Sequence, residues 1–361
     1  VTDGRLTVRS GAGAVNNKIS FAEIDRLDAA PAGPAAPAPF AAVAESPGRV
    51  RLSWGAVPFA GGYVLRRTGG AGGPVTRILP AGATNFTDEG VAPDTAYAYT
   101  LTAYDPRGES PPATASATTP PTPAVVGRWV FYNGSRFDGN GEVVDDRDLA
   151  AIATDKAALL PGGAASFANV TSYTKGINGL LVDLAGVSPA TDLTAAEFEF
   201  RAGLTGNPSS WPFVAATPAV TRLAGLTAAH GGRFAIAFPD GSIRNTWLRV
   251  TVKATPATGL SAADVFYLGN LVGETGDSTS GGALRVTAGD VLRTRRALSP
   301  GVAVDNRYDF NRDGRVSPQD LAVVRSAQRR SLALLTVPAA PPTGTVRAPR
   351  DPDDPQPVLP A

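Results

Sequence analysis

The chain has 361 residues, with 33 basic against 32 acidic side chains and a net charge of +1. That balance excludes a strongly basic nucleic-acid binder, and the absence of Cys excludes disulfide frameworks, thiol nucleophiles and Cys-ligated zinc. A single His, His230, excludes zinc sites built from several imidazoles, and no apolar run is long enough to cross a bilayer.

Helical periodicity is scarce. Short alternating stretches bounded by Gly, Pro, Asn and Asp dominate, which predicts a mainly β chain of tandem sandwiches ending in a small α-helical module. Residues 1–28 alternate around Asn16-Asn17 and predict a hairpin. The phrase from Val15 to Ile24 resembles the closing strand of a jelly-roll or malectin-like domain, which implies that the rest of that domain lies upstream. There is no Met, even at position 1, so the chain reads as processed or as part of a longer one. Residues 29–38 are a Pro/Ala linker, because such a stretch favours extended conformations and buries no core.

In 39–119, Val50, Leu52 and Trp54 fall on one face of a strand. Gly62–Arg66, Asn85–Asp88 and the phrase Pro93–Tyr104 supply further strands. The block resembles a fibronectin type III domain, which implies a two-sheet core with Tyr97 as its tyrosine-corner residue, in a module that usually acts as a spacer. Residues 120–125 are a second linker.

The block 126–268 carries strand candidates at Trp129–Tyr132, Leu180–Leu184, Phe198–Phe200, Phe234–Phe238 and Trp247–Val252, and predicts another β-sandwich. Its phrases FYNGSRFDG, ATDKAALLPG and YTKGINGLLVDL, with DVFYLGNLVGETGD at its end, resemble a domain recurring in large planctomycete-type secreted proteins. That resemblance implies a surface or secreted context and no activity. Within the block, Asp138–Asp148 is acidic and Gly-containing; its first half mimics a calcium loop, but position 12 would be Leu149, and the favoured reading is a solvated turn before a short helix. His230 reads as a surface loop residue, Trp54 and Trp247 as core, and Trp211 as core with an exposed stacking role as the alternative. The tail 336–361, rich in Pro and Asp, is expected to be disordered.

The strong chemical motif is Asp309–Asp320. Ca²⁺ takes six to eight oxygens, and a 12-residue loop supplies them from positions 1, 3, 5, 7, 9 and 12. Those positions hold Asp309, Asn311, Asp313, Arg315 (through its carbonyl), Ser317 and Asp320, with Gly314 at the sharp turn of position 6. Asp at position 12 departs from the EF-hand Glu. An apolar helix face follows, at Leu321, Val324 and Ala327. An offset of 30 aligns Val286, Thr287, Asp290 and Arg295 with Val316, Ser317, Asp320 and Arg325, which predicts a weaker first site from Asn270, Glu274, Asp277, Thr287 and Asp290.

The block 269–335 resembles a dockerin type I repeat pair, which implies calcium-dependent folding and docking on a cohesin-like or other surface protein. The dipeptides after the loop ligands, Ala288-Gly289 and Pro318-Gln319, depart from the Ser/Thr pairs of cellulosomal dockerins. A self-contained calcium-stabilised module holding another partner is the equal alternative. The expectation is a secreted or cell-surface, non-catalytic protein for adhesion or assembly, with no membrane span and no nucleic-acid partner. The alternative is the accessory C-terminal region of a carbohydrate-active enzyme, in contact with polysaccharide. No catalytic residue is assigned, and no pair of glycosidase carboxylates is marked.

Overall fold

The structure, a computed structural model, describes Gly13 and residues 33–188, 190–204, 207–224, 231–277 and 279–339. The hairpin expected in 1–28, His230 and the tail beyond 339 lie outside the described residues. The chain divides into two compact units, one of Val1–Val91 with Thr95–Thr118, the other of Ala92–Asp94 with Thr119–Ala361.

The first unit runs β1 (Phe40–Ser46), β2 (Arg49–Trp54), β3 (Gly62–Thr68), β4 (Val75–Pro80), β5 (Asn85–Asp88), β6 (Ala96–Asp105), β7 (Gly108–Glu109) and β8 (Ala113–Thr118). Side chains alternate between the two faces of a strand, so the apolar set of each strand points one way. Sheet β1-β2-β5 lies against β4-β3-β6-β7, with β8 paired to β6. Val50, Leu52 and Trp54 from β2 meet Tyr63 and Leu65 from β3 and Tyr99 and Leu101 from β6. This antiparallel sandwich, three strands on one sheet and five on the other with β7 and β8 both paired to β6, is the fibronectin type III arrangement expected from the alternation. A Cβ added at Gly70 would sit 2.8 Å from the Tyr97 hydroxyl, so that ring reaches back over the turn after β3. Tyr99 donates to Asp88 Oδ2 at 3.1 Å, and Arg67 Nη1 holds both Asp88 oxygens at 2.9 and 3.0 Å.

The second unit runs β9 (Ala124–Phe131), β10 (Val170–Thr171), β11 (Gly179–Ala185), β12 (Phe198–Gly203), β13 (Ala219–Leu223), β14 (Gly231–Ala237), β15 (Trp247–Val252), β16 (Asp264–Asn270), β17 (Thr279–Ser280), β18 (Ala283–Arg285), α1 (Ala288–Arg296), α2 (Pro318–Ala327) and β19 (Ser331–Ala333). Sheets β13-β14-β11-β9 and β10-β16-β15-β12 enclose a core that includes Leu180, Val182, Phe234, Ile236, Leu248, Val250 and Phe266. Chain order and composition thus produce a second sandwich, as expected for 126–268.

The helices do not stand apart from it. Trp247 and Tyr267 form one cluster with Leu284, Val286, Phe310, Val324, Ala327 and Leu332. Trp247 Nε1 also donates to the Ala333 carbonyl at 2.8 Å. The hydrophobic core therefore runs across the boundary placed at 268–269 by composition. The same cluster takes in Trp211 and Val337. Trp211 is core and not an exposed platform. Val337, inside the segment expected to be disordered, donates its N–H to the Gly163 carbonyl at 3.0 Å, so the chain is anchored that far. Among the described residues, no helix is long and apolar enough to cross a membrane.

Candidate metal centre

The loop from Asp309 to Asp320 is shaped by its own side chains. Ser317 caps α2 by accepting from Gln319 N at 3.2 Å, and Asp320 returns the bond by accepting from Ser317 N at 2.9 Å. This reciprocal cap fixes Asp320 at the start of the helix. Its other oxygen accepts from Phe310 N at 2.8 Å, closing the loop end to end. Asp309 accepts from Asp313 N at 3.2 Å and Gly314 N at 2.9 Å. Gly314 has φ +79°, a left-handed turn that costs other residues more than Gly. Asn311 accepts from Asp313 N at 3.2 Å and donates to Asp313 Oδ2 at 3.1 Å. Arg315 N donates to Asp313 Oδ1 at 3.0 Å.

As a result, Asp309, Asp313 and Asp320 each bring a carboxylate oxygen within 4.8 Å of the others. Asp309 and Asp320 are fully buried. Burial, reinforced by neighbouring Asp320 and opposed by Arg312, pushes the Asp309 carboxyl up to about 6. Arg312 acts on Asp309 through its charge alone, because its guanidinium makes its hydrogen bonds elsewhere. It lies over the Tyr132 ring at 4.2 Å, donates to the Tyr132 hydroxyl at 2.9 Å and bonds the Asn306 carbonyl. Converging carboxylate oxygens with no cationic side chain among them suit a hard divalent cation. The triad can hold a metal ion.

The loop is also fastened to the sandwich. Phe310 lies in the cluster containing Trp247, its carbonyl accepts from Thr174 N at 2.8 Å, and the Arg312 carbonyl accepts from Arg136 N at 3.0 Å. A Cβ added at Gly314 would fall 2.6 Å from Arg136 Cδ, so side chain and loop are in close contact.

The first repeat keeps the cap and changes the rest. Thr287 caps α1, accepting from Gly289 N at 3.1 Å, and Asp290 accepts from Thr287 N at 2.7 Å, as Ser317 and Asp320 do for α2. Asp290 Oδ1 accepts from Thr275 N at 3.2 Å, the role that Phe310 N plays for Asp320. Thr275 is therefore the counterpart of Phe310, and fully buried Glu274, not Asn270, is the counterpart of Asp309. Counted from these residues, the first loop is 17 residues long against 12, an excess of five. Asn270 ends β16 with its amide used in holding the fold. It accepts from Asn245 N at 2.8 Å and donates to the carbonyls of Thr171 at 3.3 Å and Tyr173 at 3.0 Å. Glu274 Oε1 accepts from Gly276 N at 2.8 Å, while its Oε2 is buried with no hydrogen-bond partner. Burial pushes its carboxyl up to about 7. Asp277 accepts from Thr275 Oγ1 at 2.9 Å and pairs with Arg293 at 3.2 Å.

Sequence reasoning missed a third acidic feature. The segment read as a solvated turn carries Asp138 and Asp148, which are 3% and 2% exposed. The first half of the segment has calcium-loop spacing at Asp138, Asn140 and Glu142, but position 12 is Leu149, and only the fold brings Asp148 to Asp138.

No protein-family model matches the chain. Over 86 residues, 23% of its length, the chain is 44% identical to a poly(3-hydroxybutyrate) depolymerase of Ralstonia pickettii. The match spans 16% of that enzyme, well short of its whole length. Similar solved structures include an Fn3-like protein from Clostridium thermocellum, 34% identical, covering 26% of this chain and 96% of that one with a TM-score of 0.21. The FN5 domain of Drosophila Lar is 22% identical, with coverages of 24% and 97% and a TM-score of 0.21. These scores add no argument, and the fibronectin type III assignment of the first unit rests on its strand order and core.

Proposed function

We propose that this chain is a non-catalytic, extracellular modular protein for adhesion or assembly, and that Ca²⁺ in the 309–320 loop holds its C-terminal helices in place. The observation that supports this reading is the convergence of three carboxylates in a loop whose Phe310 shares a buried cluster with Trp247 and Tyr267 of the sandwich. Asp309, Asn311, Asp313, the Arg315 carbonyl, Ser317 and Asp320 are the proposed ligands, with Ser317 acting through water because its hydroxyl already caps α2. The 274–290 loop is a weaker second site in which Glu274 replaces Asn270 as the first ligand, joined by Asp290 and completed by backbone and water. The exposed helix starts, Ala288-Gly289 and Pro318-Gln319, would face a cohesin-like or other surface protein.

The test is cosedimentation of the full chain with insoluble polysaccharide and with polyester particles, in calcium and in chelator. Calcium-dependent retention on either supports the reading. Absence of retention on both, in a chain that binds calcium, removes adhesion to polymers and leaves assembly with a protein partner.

A second reading is favoured by the 86-residue similarity to a depolymerase: this chain as the accessory region of a secreted polymer-degrading enzyme. A catalytic domain encoded in the same gene would decide for it. The carbohydrate-active form of the idea requires that domain to be a glycosidase or related enzyme.

A further inference from the structure

Asp138 and Asp148 sit on neighbouring 3₁₀ turns, Arg136–Asp138 and Asp146–Ala151. Each uses one oxygen to close its own turn: Asp138 Oδ2 accepts from Ser135 N at 3.2 Å and Asp148 Oδ2 accepts from Asp145 N at 2.7 Å. The other oxygen of each, Oδ1, is buried and has no hydrogen-bond partner. The two carboxyls lie close together: Asp138 raises Asp148 by its charge and through a carboxyl–carboxyl contact that only a shared proton or a bound cation makes favourable. Gly139 and Asn140, at φ +80° and +60°, fold the chain back so that residues ten apart in sequence meet.

Leaving charged oxygens buried and unpartnered is costly. Arg147 feels both charges but donates to neither Oδ1, because its guanidinium holds both oxygens of Asp145 at 2.6 to 3.1 Å.

We propose that the 138–148 turn is a further divalent-cation site, in which Asp138 Oδ1 and Asp148 Oδ1 are the anchoring ligands. The donors are oxygens only, and carboxylate, carbonyl and water oxygens are the ligands of Ca²⁺. The intervening turn carries two more side-chain oxygen donors, Asn140 and Glu142. The site is independent of the 309–320 loop, which has its own carboxylates, but it abuts that loop through the Arg136 N–H bond to the Arg312 carbonyl at 3.0 Å.

Equilibrium dialysis of the full chain against radiolabelled calcium at pH 7.5 counts the ions bound. Asp148→Asn and Asp138→Asn keep the shape and the turn-closing oxygen while removing the charge. Each is expected to lose one equivalent of calcium and to keep the equivalent that Asp313→Ala loses, and the Asp313→Ala/Asp148→Asn double variant is expected to lose both. Retention of every wild-type equivalent by both Asn variants would overturn the proposal and leave a proton-sharing pair. Thermal unfolding in chelator guards against a folding artefact: relief of the like-charge pair is expected to leave the Asn variants at least as stable as wild type. A variant less stable than wild type in chelator would also count against the proposal, because the two oxygens would then be engaged with protein groups.

Discussion

Replacing Phe310 with Ala tests whether the 309–320 loop and the second sandwich are one folding unit. Phe310 is fully buried and shares a cluster with Trp247, Leu284, Val324 and Leu332, drawn from β15, β18, α2 and β19. Truncating a buried Phe to Ala costs about 3–5 kcal/mol, from lost transfer energy plus the cavity left behind. In a unit of roughly 250 residues, each kcal/mol moves Tm by about 2–4 °C, so the expected fall is about 6–20 °C. Differential scanning calorimetry of the full chain in saturating calcium reads this directly. The transition of the second unit should fall as a whole, with near-ultraviolet circular dichroism of its Trp residues lost at the same temperature. The transition of the fibronectin type III unit should not move. A small new low-temperature transition for the helices, with the sandwich melting where it did before, would refute the shared core.

Further predictions follow from the same geometry. In chelator the second unit should lose stability as pH rises from about 4 to 7. Asp309, Asp148 and Glu274 have carboxyls raised to about 6, 6 and 7, so the folded state binds more protons than the unfolded chain in that window. Calcium requires ionised carboxylates, so the Tm gain on adding it should grow over the same range, and an equal gain at pH 5 and pH 7.5 would contradict this. Arg312→Ala should destabilise the second unit by about 2–4 kcal/mol in urea unfolding, by emptying a site 1% exposed and leaving the Tyr132 hydroxyl and the Asn306 carbonyl without their donor. Asp88→Ala strands Arg67 and Tyr99 and should lower only the fibronectin type III transition, by about 3 kcal/mol, with calcium binding unchanged.

The parts of this protein that are local in sequence were legible there. Period-two alternation at Val50, Leu52 and Trp54 marks a strand with one buried face, and the same logic carries the whole first sandwich. The 309–320 loop is equally local, because ligand spacing and the Ser317 cap are set within 12 residues. Three features depend on distant contacts and were not legible. The helices join the sandwich through Trp247 and Phe310, residues 63 positions apart whose contact leaves no spacing signature. The register of the first loop was misplaced, because alignment of the helix caps cannot say which upstream residue meets Asp290 once five residues have been inserted. The backbone bond from Thr275 decides it in favour of Glu274. Asp138 and Asp148 looked like solvent-facing residues of a turn, and only the packing of the two 3₁₀ turns against each other buries them.

The most direct test of the account is a calorimetric calcium titration of the full chain, wild type beside Asp313→Ala. Asp313 is the exchangeable member of the triad, partly exposed and bonded only within its own loop, so its loss should spare the fold. The account predicts that wild type binds calcium, that Asp313→Ala loses one event, and that calcium stabilises the second unit by about 2.7 kcal/mol at a hundredfold excess over Kd, with a matching rise in its Tm. A wild-type chain that takes up no calcium, or an Asp313→Ala variant that binds as wild type does, would contradict it.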